Sequence, residues 1–315
     1  MGKWVKNILG LVILVFLLWY LVGHWQQLRV LLRLGPGQLV ILYSLCFLST
    51  LVAARVVQCL VSALKTKTEF WDMVWLQNAA VLLNYMPMKF GTLFRANYLK
   101  SHYGLAYSHF ASFFLYITFL MTATSTALGL VTLAAVYGLA EYESKILAGV
   151  FAGAIIGSLI FLLVPLPEPK GKGRLSTALR AFLAGRRQMA KDKKTIFAAA
   201  ALLVVNFLIT ACRLAIIYHS MGKDIHPAGY LILGALGFVI LFISLTPGSL
   251  GIRELVLGAG AVVLGVPLEV GVLAAVVDRA ISMSYIFVVG GGCTLSLWHK
   301  SPADFKEQQE NPTDQ

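Results

Sequence analysis

Nine apolar runs fill most of this chain, and a water-soluble fold has nowhere to put them. They cover residues 8–22, 39–64, 74–86, 107–137, 145–166, 196–221, 230–245, 255–277 and 281–298. Several exceed the roughly 18–20 residues that carry a helix across about 30 Å of hydrocarbon. Charged residues make up 13% of the chain, where a soluble domain carries about 25%. In lipid each backbone polar group must be satisfied within the segment, so runs of this length spell helices. The sequence predicts an all-α polytopic membrane protein.

Two of the runs are interrupted in the same way. Asn84-Tyr-Met-Pro-Met-Lys-Phe-Gly-Thr-Leu-Phe-Arg95 and Ser244-Leu-Thr-Pro-Gly-Ser-Leu-Gly-Ile-Arg-Glu254 each hold a proline, a glycine four residues later and an arginine soon after. Upstream, Arg55 lies 32 residues before Pro87 and Arg213 lies 34 before Pro247, each inside an apolar run. An ionisable residue in hydrocarbon is costly and marks function, and a Pro/Gly break at depth is tolerated only where it lines a cavity. Paired interruptions in two halves of a membrane protein point to a transport site.

The net charge of +12 does not point to nucleic acid, because the basic residues sit in short loops between apolar runs. That distribution reports topology and attraction to anionic lipid surfaces. Nine positive charges between residues 170 and 194 predict that this loop is cytoplasmic. Leu175, Leu179, Phe182, Leu183 and Met189 recur near helical spacing within it. The loop is therefore either a basic amphipathic helix at the membrane surface or a solvated linker. Glu141 and Glu143 mark the opposite side. The start, Lys3 and Lys6 before the apolar run, resembles a signal peptide but lacks a small-x-small cleavage site, and is expected to be a retained first helix. Cys46, Cys59, Cys212 and Cys293 fall within spans at no metal-like spacing and are expected to pack.

The run 74–86 holds 13 residues, or about 20 Å of helix, too short to cross. A hairpin that enters from the cytoplasm, turns at 87–91 and returns through 93–103 meets both the length and the charge side. The second half reads the same way inverted, with a broken hairpin turning at 247–251, although two ordinary spans over 230–277 are the competing reading. The expected architecture is about six full spans plus two Pro/Gly-broken, re-entrant hairpins in an inverted-topology repeat. Residues 1–144 form the first repeat, 145–300 the second with the basic loop at 167–194, and 301–315 a disordered tail. Both termini are expected in the cytoplasm.

A turn at membrane depth exposes N–H groups at the start of the returning helix, and an arginine there adds a fork suited to phosphate. Arg95 and Arg253 follow the two glycines, and Gly91 and Gly251 would admit a tight turn close to a ligand. Both arginines are alternatively interfacial and snorkelling. Arg55 and Arg213 are expected to face the interior, pairing with a carboxylate or a substrate phosphate. Glu254, Asp278 and Glu269 are the carboxylates at depth, with Asp278-Arg279 opening the last helix. A structural salt bridge among Arg253, Glu254, Asp278 and Arg279 competes evenly with a substrate role. The substrate-binding set is thus Arg55, Pro87, Gly91, Arg95, Arg213, Pro247, Gly248, Gly251, Arg253, Glu254, Asp278 and Arg279. Tyr85, Phe90, Phe94, Tyr98 and Tyr103 crowd the first hairpin, lining an acyl-chain channel or simply packing. No triad, Walker A motif or metal spacing emerges, so no catalytic residue, metal or cofactor is expected.

The segment Leu245-Thr-Pro-Gly-Ser-Leu-Gly-Ile-Arg-Glu-Leu255, then Leu264-Gly-Val-Pro267 and Asp278-Arg279, resembles the lysylphosphatidylglycerol synthase transmembrane-region family. The stretch from Asn84 to Tyr98 resembles that family's first-half motif. The resemblance implies a polytopic bacterial inner-membrane protein that translocates lipids. Lysyl-lipid synthesis is not expected, because the chain stops at 315 residues without the aminoacyl-transferase domain of full-length synthases. The expected function is a flippase-like transporter of an anionic, head-group-modified or polyprenyl-phosphate-linked lipid. Arg95 or Arg253 would capture the phosphate. The alternative is a non-transporting subunit that binds a lipid-modifying enzyme or glycosyltransferase.

Overall fold

The computed structural model describes residues 34–86, 90–165, 167, 169, 171, 173–243 and 251–299, and every regular element among them is helical. α1 (Pro36–Ala63) opens on proline, whose missing N–H costs nothing in a first turn. α2 (Phe70–Leu83) and α3 (Phe90–Tyr103) follow, then α4 (Tyr107–Thr132), which continues through a π-helical turn at Leu133–Tyr137. α5 (Tyr142–Leu163) and α6 (Arg174–Lys191) lead to α7 (Lys193–Ser220). The last elements are α8 (Pro227–Ile243), α9 (Ile252–Val263), α10 (Leu268–Tyr285) and α11 (Gly291–His299).

Five segments among the described residues are long and apolar enough to cross a membrane: Pro36–Ala63, Tyr107–Tyr137, Tyr142–Leu163, Lys193–Ser220 and Leu268–Leu297. The chain is a multi-pass integral membrane protein. The expected first span at 8–22 and the tail at 301–315 lie outside the described residues. α2 and α3 have 14 residues each and α9 has 12, or about 21 and 18 Å of helix, too short to cross. The last span differs from the sequence reading. Asp278 and Arg279 do not open a helix; α10 runs through them, and the break falls at Gly265-Val266-Pro267 instead. Charges in an apolar run look like a boundary, but these two are ion-paired and leave the helix intact.

The α2–α3 pair is held by backbone contact. A Cβ at Gly91 would overlap the Ala80 carbonyl and the Asn84 amide, so only glycine lets the two helices meet this closely. Asn84 Oδ1 accepts the Thr92 N–H at 3.0 Å, satisfying one orphan donor of α3.

α1 and α7 pack antiparallel at the centre. Ser49 Oγ donates to Asn206 Oδ1 at 2.7 Å, and each residue is the fourteenth of a 28-residue helix. Two apolar cores lie on either side of this crossing. One takes Leu42 and Cys46 from α1 and Phe207 to Tyr218 from α7; the other takes Ala54 to Leu64 and Ala199 to Leu203. α2 packs on the α10–α11 span, and α8 packs on α4.

Part of the basic loop is the helix α6. It docks on the bundle rather than standing free in solvent. Ser112 Oγ donates to the Phe182 carbonyl at 2.6 Å and Gln188 Nε2 to the Ala63 carbonyl at 3.0 Å, while Leu183 and Met189 are buried. Asp192 ends it and caps α7 by accepting the Thr195 N–H and hydroxyl, bonds that hold its carboxyl below the usual range.

Candidate functional site

The charged residues at depth gather where α9 meets α10. Arg253 lies twelve residues before Gly265 and Asp278 eleven after Pro267, so folding the chain at that turn sets the two dipeptides side by side. They pair crosswise. Arg253 Nη2 donates to Asp278 Oδ2 at 2.7 Å, and Arg279 Nη1 lies 2.6 Å from Glu254 Oε1, an ionic contact out of hydrogen-bond alignment. α7 adds a third arginine, as Arg213 donates to Asp278 Oδ1 through Nε at 3.0 Å and through Nη2 at 2.5 Å. Its Nη1 rests on Cys46 Sγ at 3.4 Å. The Asp278 side chain is 0% exposed.

Local geometry fixes this arrangement. Gly251 takes φ +82°, a left-handed conformation open to glycine, and ends the break by turning into α9. Glu254, the third residue of that helix, accepts the Gly251 N–H at 2.9 Å through Oε2. Its negative charge suits the positive end of the helix dipole. Arg213 lies seven residues beyond Asn206 on α7, about 10 Å from the crossing, so the cluster is well inside the hydrocarbon thickness. From the first half, the end of α2 reaches the same place. Tyr85 stands in the field of Arg279 and Arg253, with its ring centroid 5.9 Å from that of Phe287.

The cluster holds Arg213, Arg253 and Arg279 against Glu254 and Asp278, an excess of one positive charge. Burying unbalanced charge is expensive, and an anion that enters removes the imbalance.

The remaining sequence-derived candidates divide. Pro87, Pro247 and Gly248 lie outside the described residues. Gly91 is packed against α2 as described above. Arg95 is not in the cluster. It lies on α3, where its Nη2 donates to Gln77 Oε1 of α2 at 2.6 Å, and its buried Nε has no hydrogen-bond partner among the described residues. Arg55 is also apart, exposed on the flank of α1, with Nη1 donating to Gln58 Oε1 at 2.5 Å. Among the described residues no carboxylate forms a salt bridge with either. The first-half aromatics pack: the Tyr103 and Tyr98 hydroxyls donate to Asp72 Oδ2 at 2.7 and 3.4 Å, and Tyr98 stacks on His102.

Sequence reasoning missed Cys46, Gln58, Gln77 and Asp72. The two glutamines carried a signal, since an amide inside an apolar run needs a partner as a charge does. Asp72 falls just before the run 74–86 and is buried in the first turn of α2.

An all-helical bundle that spans the membrane and buries ion-paired arginines between short, broken helices defines a polytopic membrane domain. The chain belongs to the lysylphosphatidylglycerol synthase TM region family, whose model matches residues 7–290. That membership links the domain to lipid handling. No curated protein and no solved structure matches the chain.

Proposed function

We propose that this protein is a flippase-like transporter in the bacterial inner membrane. Its cargo is an anionic or head-group-modified lipid, polyprenyl-phosphate carriers included. The observation that carries the reading is the charge imbalance at the helix breaks: among the described residues three arginines, Arg213 and Arg279 buried and Arg253 partly exposed, face two carboxylates in the second half, and Arg95 is bonded to an amide in the first. A lipid phosphate supplies the anion these groups lack, and a guanidinium takes it through two parallel N–H bonds.

The packing of α2 on the α10–α11 span and of α8 on α4, and the crossing of α1 and α7 at their midpoints, support an inverted repeat with two re-entrant hairpins. In this reading the termini and α6 face the cytoplasm. The phosphate is captured by Arg95 from that side and passes towards the Arg253 cluster, while the acyl tails stay in lipid.

The test is reconstitution into liposomes with a head-group-labelled anionic phospholipid, following its movement between leaflets. Native protein moves the lipid. Arg95→Ala keeps its thermal stability and loses movement, and Arg95→Lys recovers part of it, because an ammonium cannot make the bidentate contact. Full movement by Arg95→Ala would overturn the assignment.

A further inference from the structure

Arg55 is the sequence-derived arginine that neither broken hairpin uses, and its surroundings give it a task. It opens onto a lateral groove of about 390 Å³ lined by Leu51 and Val52 of α1, Phe70 of α2 and Leu202 of α7. The groove is apolar except for the guanidinium. A cation at such a place is either reaching for water or holding an anion.

The level of the groove can be read from its neighbours. Arg55 lies six residues past Ser49, so its Cα is about 9 Å from the α1–α7 crossing. Its side chain extends further the same way, since Gln58, which it touches, lies one turn nearer the end of the helix. Phe70 opens α2, and Trp71 and Trp75 beside it are 60% and 37% exposed. Tryptophans exposed at a helix start mark the boundary between head groups and acyl chains. The Arg55 Cα thus lies inside the hydrocarbon edge, which is about 15 Å from the crossing, and its guanidinium reaches from there towards the head groups of the leaflet that faces the end of α1. Leu51 and Val52, one turn back along α1, lie at acyl depth.

The arginine is also pre-aimed. Gln58 Nε2 donates to the Thr68 carbonyl at 2.7 Å, so the amide that holds Arg55 is itself fixed. An arginine has five N–H donors, and Arg55 spends one of them on Gln58 among the described residues.

We infer that this groove is a phospholipid-binding portal: the lipid phosphate sits on Arg55 and one acyl chain lies along Leu51, Val52 and Leu202. Recognition reads the phosphate and the chain, not the head group beyond. The portal is where cargo leaves the bulk leaflet, a role that rests on the transport reading; the lipid site itself does not.

A benzophenone amino acid at position 202, in the full-length protein in phosphatidylglycerol or phosphatidylcholine vesicles, would capture lipid in the groove. A second probe at Leu208, exposed on the same helix, reports bulk lipid. Cross-linking at 202 is expected in both vesicles. It falls about tenfold in Arg55→Ala and Arg55→Gln, the loss of charge-assisted bonds, while labelling at 208 stays constant. Arg55→Lys keeps much of the yield, and a diacylglycerol probe without phosphate labels as weakly as Arg55→Ala. Yield at 202 unchanged by Arg55→Ala and Arg55→Gln would overturn the inference. Lipid movement is measured on the same samples. Arg55-dependent labelling without movement sinks the transport reading and leaves the site. Movement without Arg55-dependent labelling does the reverse.

Discussion

Both halves of the molecule place one arginine on a central helix and another on a short helix after a break, yet they satisfy them in opposite ways. In the second half Arg213 and Arg253 share the two oxygens of Asp278. In the first, Arg55 and Arg95 donate to the amides of Gln58 and Gln77, and among the described residues no carboxylate pairs with either. The first half does bury an acid, but Asp72 takes tyrosine hydroxyls instead. An arginine clamped by a buried carboxylate holds helices together, and breaking the pair leaves an uncompensated charge. An arginine held by an amide keeps its full charge for whatever anion arrives. One half is locked and the other is ready.

The sharpest way to break this contrast is Asp278→Ala. It strips both arginines of their counter-charge and should cost about 3–5 kcal/mol, read as a large drop in the melting temperature of the detergent-solubilised protein. Adding Arg213→Leu should recover part of the loss. A melting temperature unmoved by Asp278→Ala would mean the second half is not locked by ions.

Gly91→Ala tests the other side. The first hairpin relies on backbone contact, so one methyl should force α2 and α3 apart at a cost of about 1–3 kcal/mol. The same change at Gly237, where a Cβ meets nothing within 4 Å, serves as the control and should be near neutral. Equal effects at both positions would remove the packing argument.

Arg95→Leu should change stability by less than about 1 kcal/mol, in contrast to Arg253→Leu, which leaves Asp278 one partner short. Equal destabilisation would place Arg95 in a structural role. The smallest effect belongs to Asp192→Asn, which weakens the cap of α7 at the membrane surface. The native carboxyl titrates below its ordinary value of about 4. Its contribution is therefore present above that value and lost only as pH falls through the lowered one. Urea titrations across acid pH should show the native and Asp192→Asn proteins differing at pH 7 and the difference shrinking only as pH falls below the ordinary carboxylate value of about 4.

Run lengths in the sequence located α1, α2, α4, α5 and α7 within a few residues, because hydrocarbon thickness leaves helices little choice, but they split the last span at Asp278-Arg279. The crosswise pairing of Arg253-Glu254 with Asp278-Arg279 was legible as a competing possibility, since a single turn lies midway between them. The continuity of α10 was not: a charged dipeptide looks like a loop until its partners are known, and Arg213 comes from another helix. The separation of Arg55 from Arg213 was equally hidden. Both stand in similar runs, and only the antiparallel crossing at Ser49 and Asn206 sends one to the lipid flank and the other to the interior.

The Arg213–Asp278 bond joins residues 65 positions apart, and that spacing sets an order of events in biosynthesis. At roughly 5–20 residues per second the ribosome makes Asp278 about 3–13 s after Arg213. For that interval α7 carries a charge whose carboxylate does not yet exist. Cys46 and the Asn206 partner Ser49 are already made, so α7 can lean on α1 by polar contact while it waits. Delivery of α7 to the membrane and burial of its arginine are thus two separate steps, the second timed by the arrival of α10. A nascent chain arrested before Asp278 should leave Arg213 exposed to water or to the insertion machinery, and so open to chemical or proteolytic attack that the finished fold excludes.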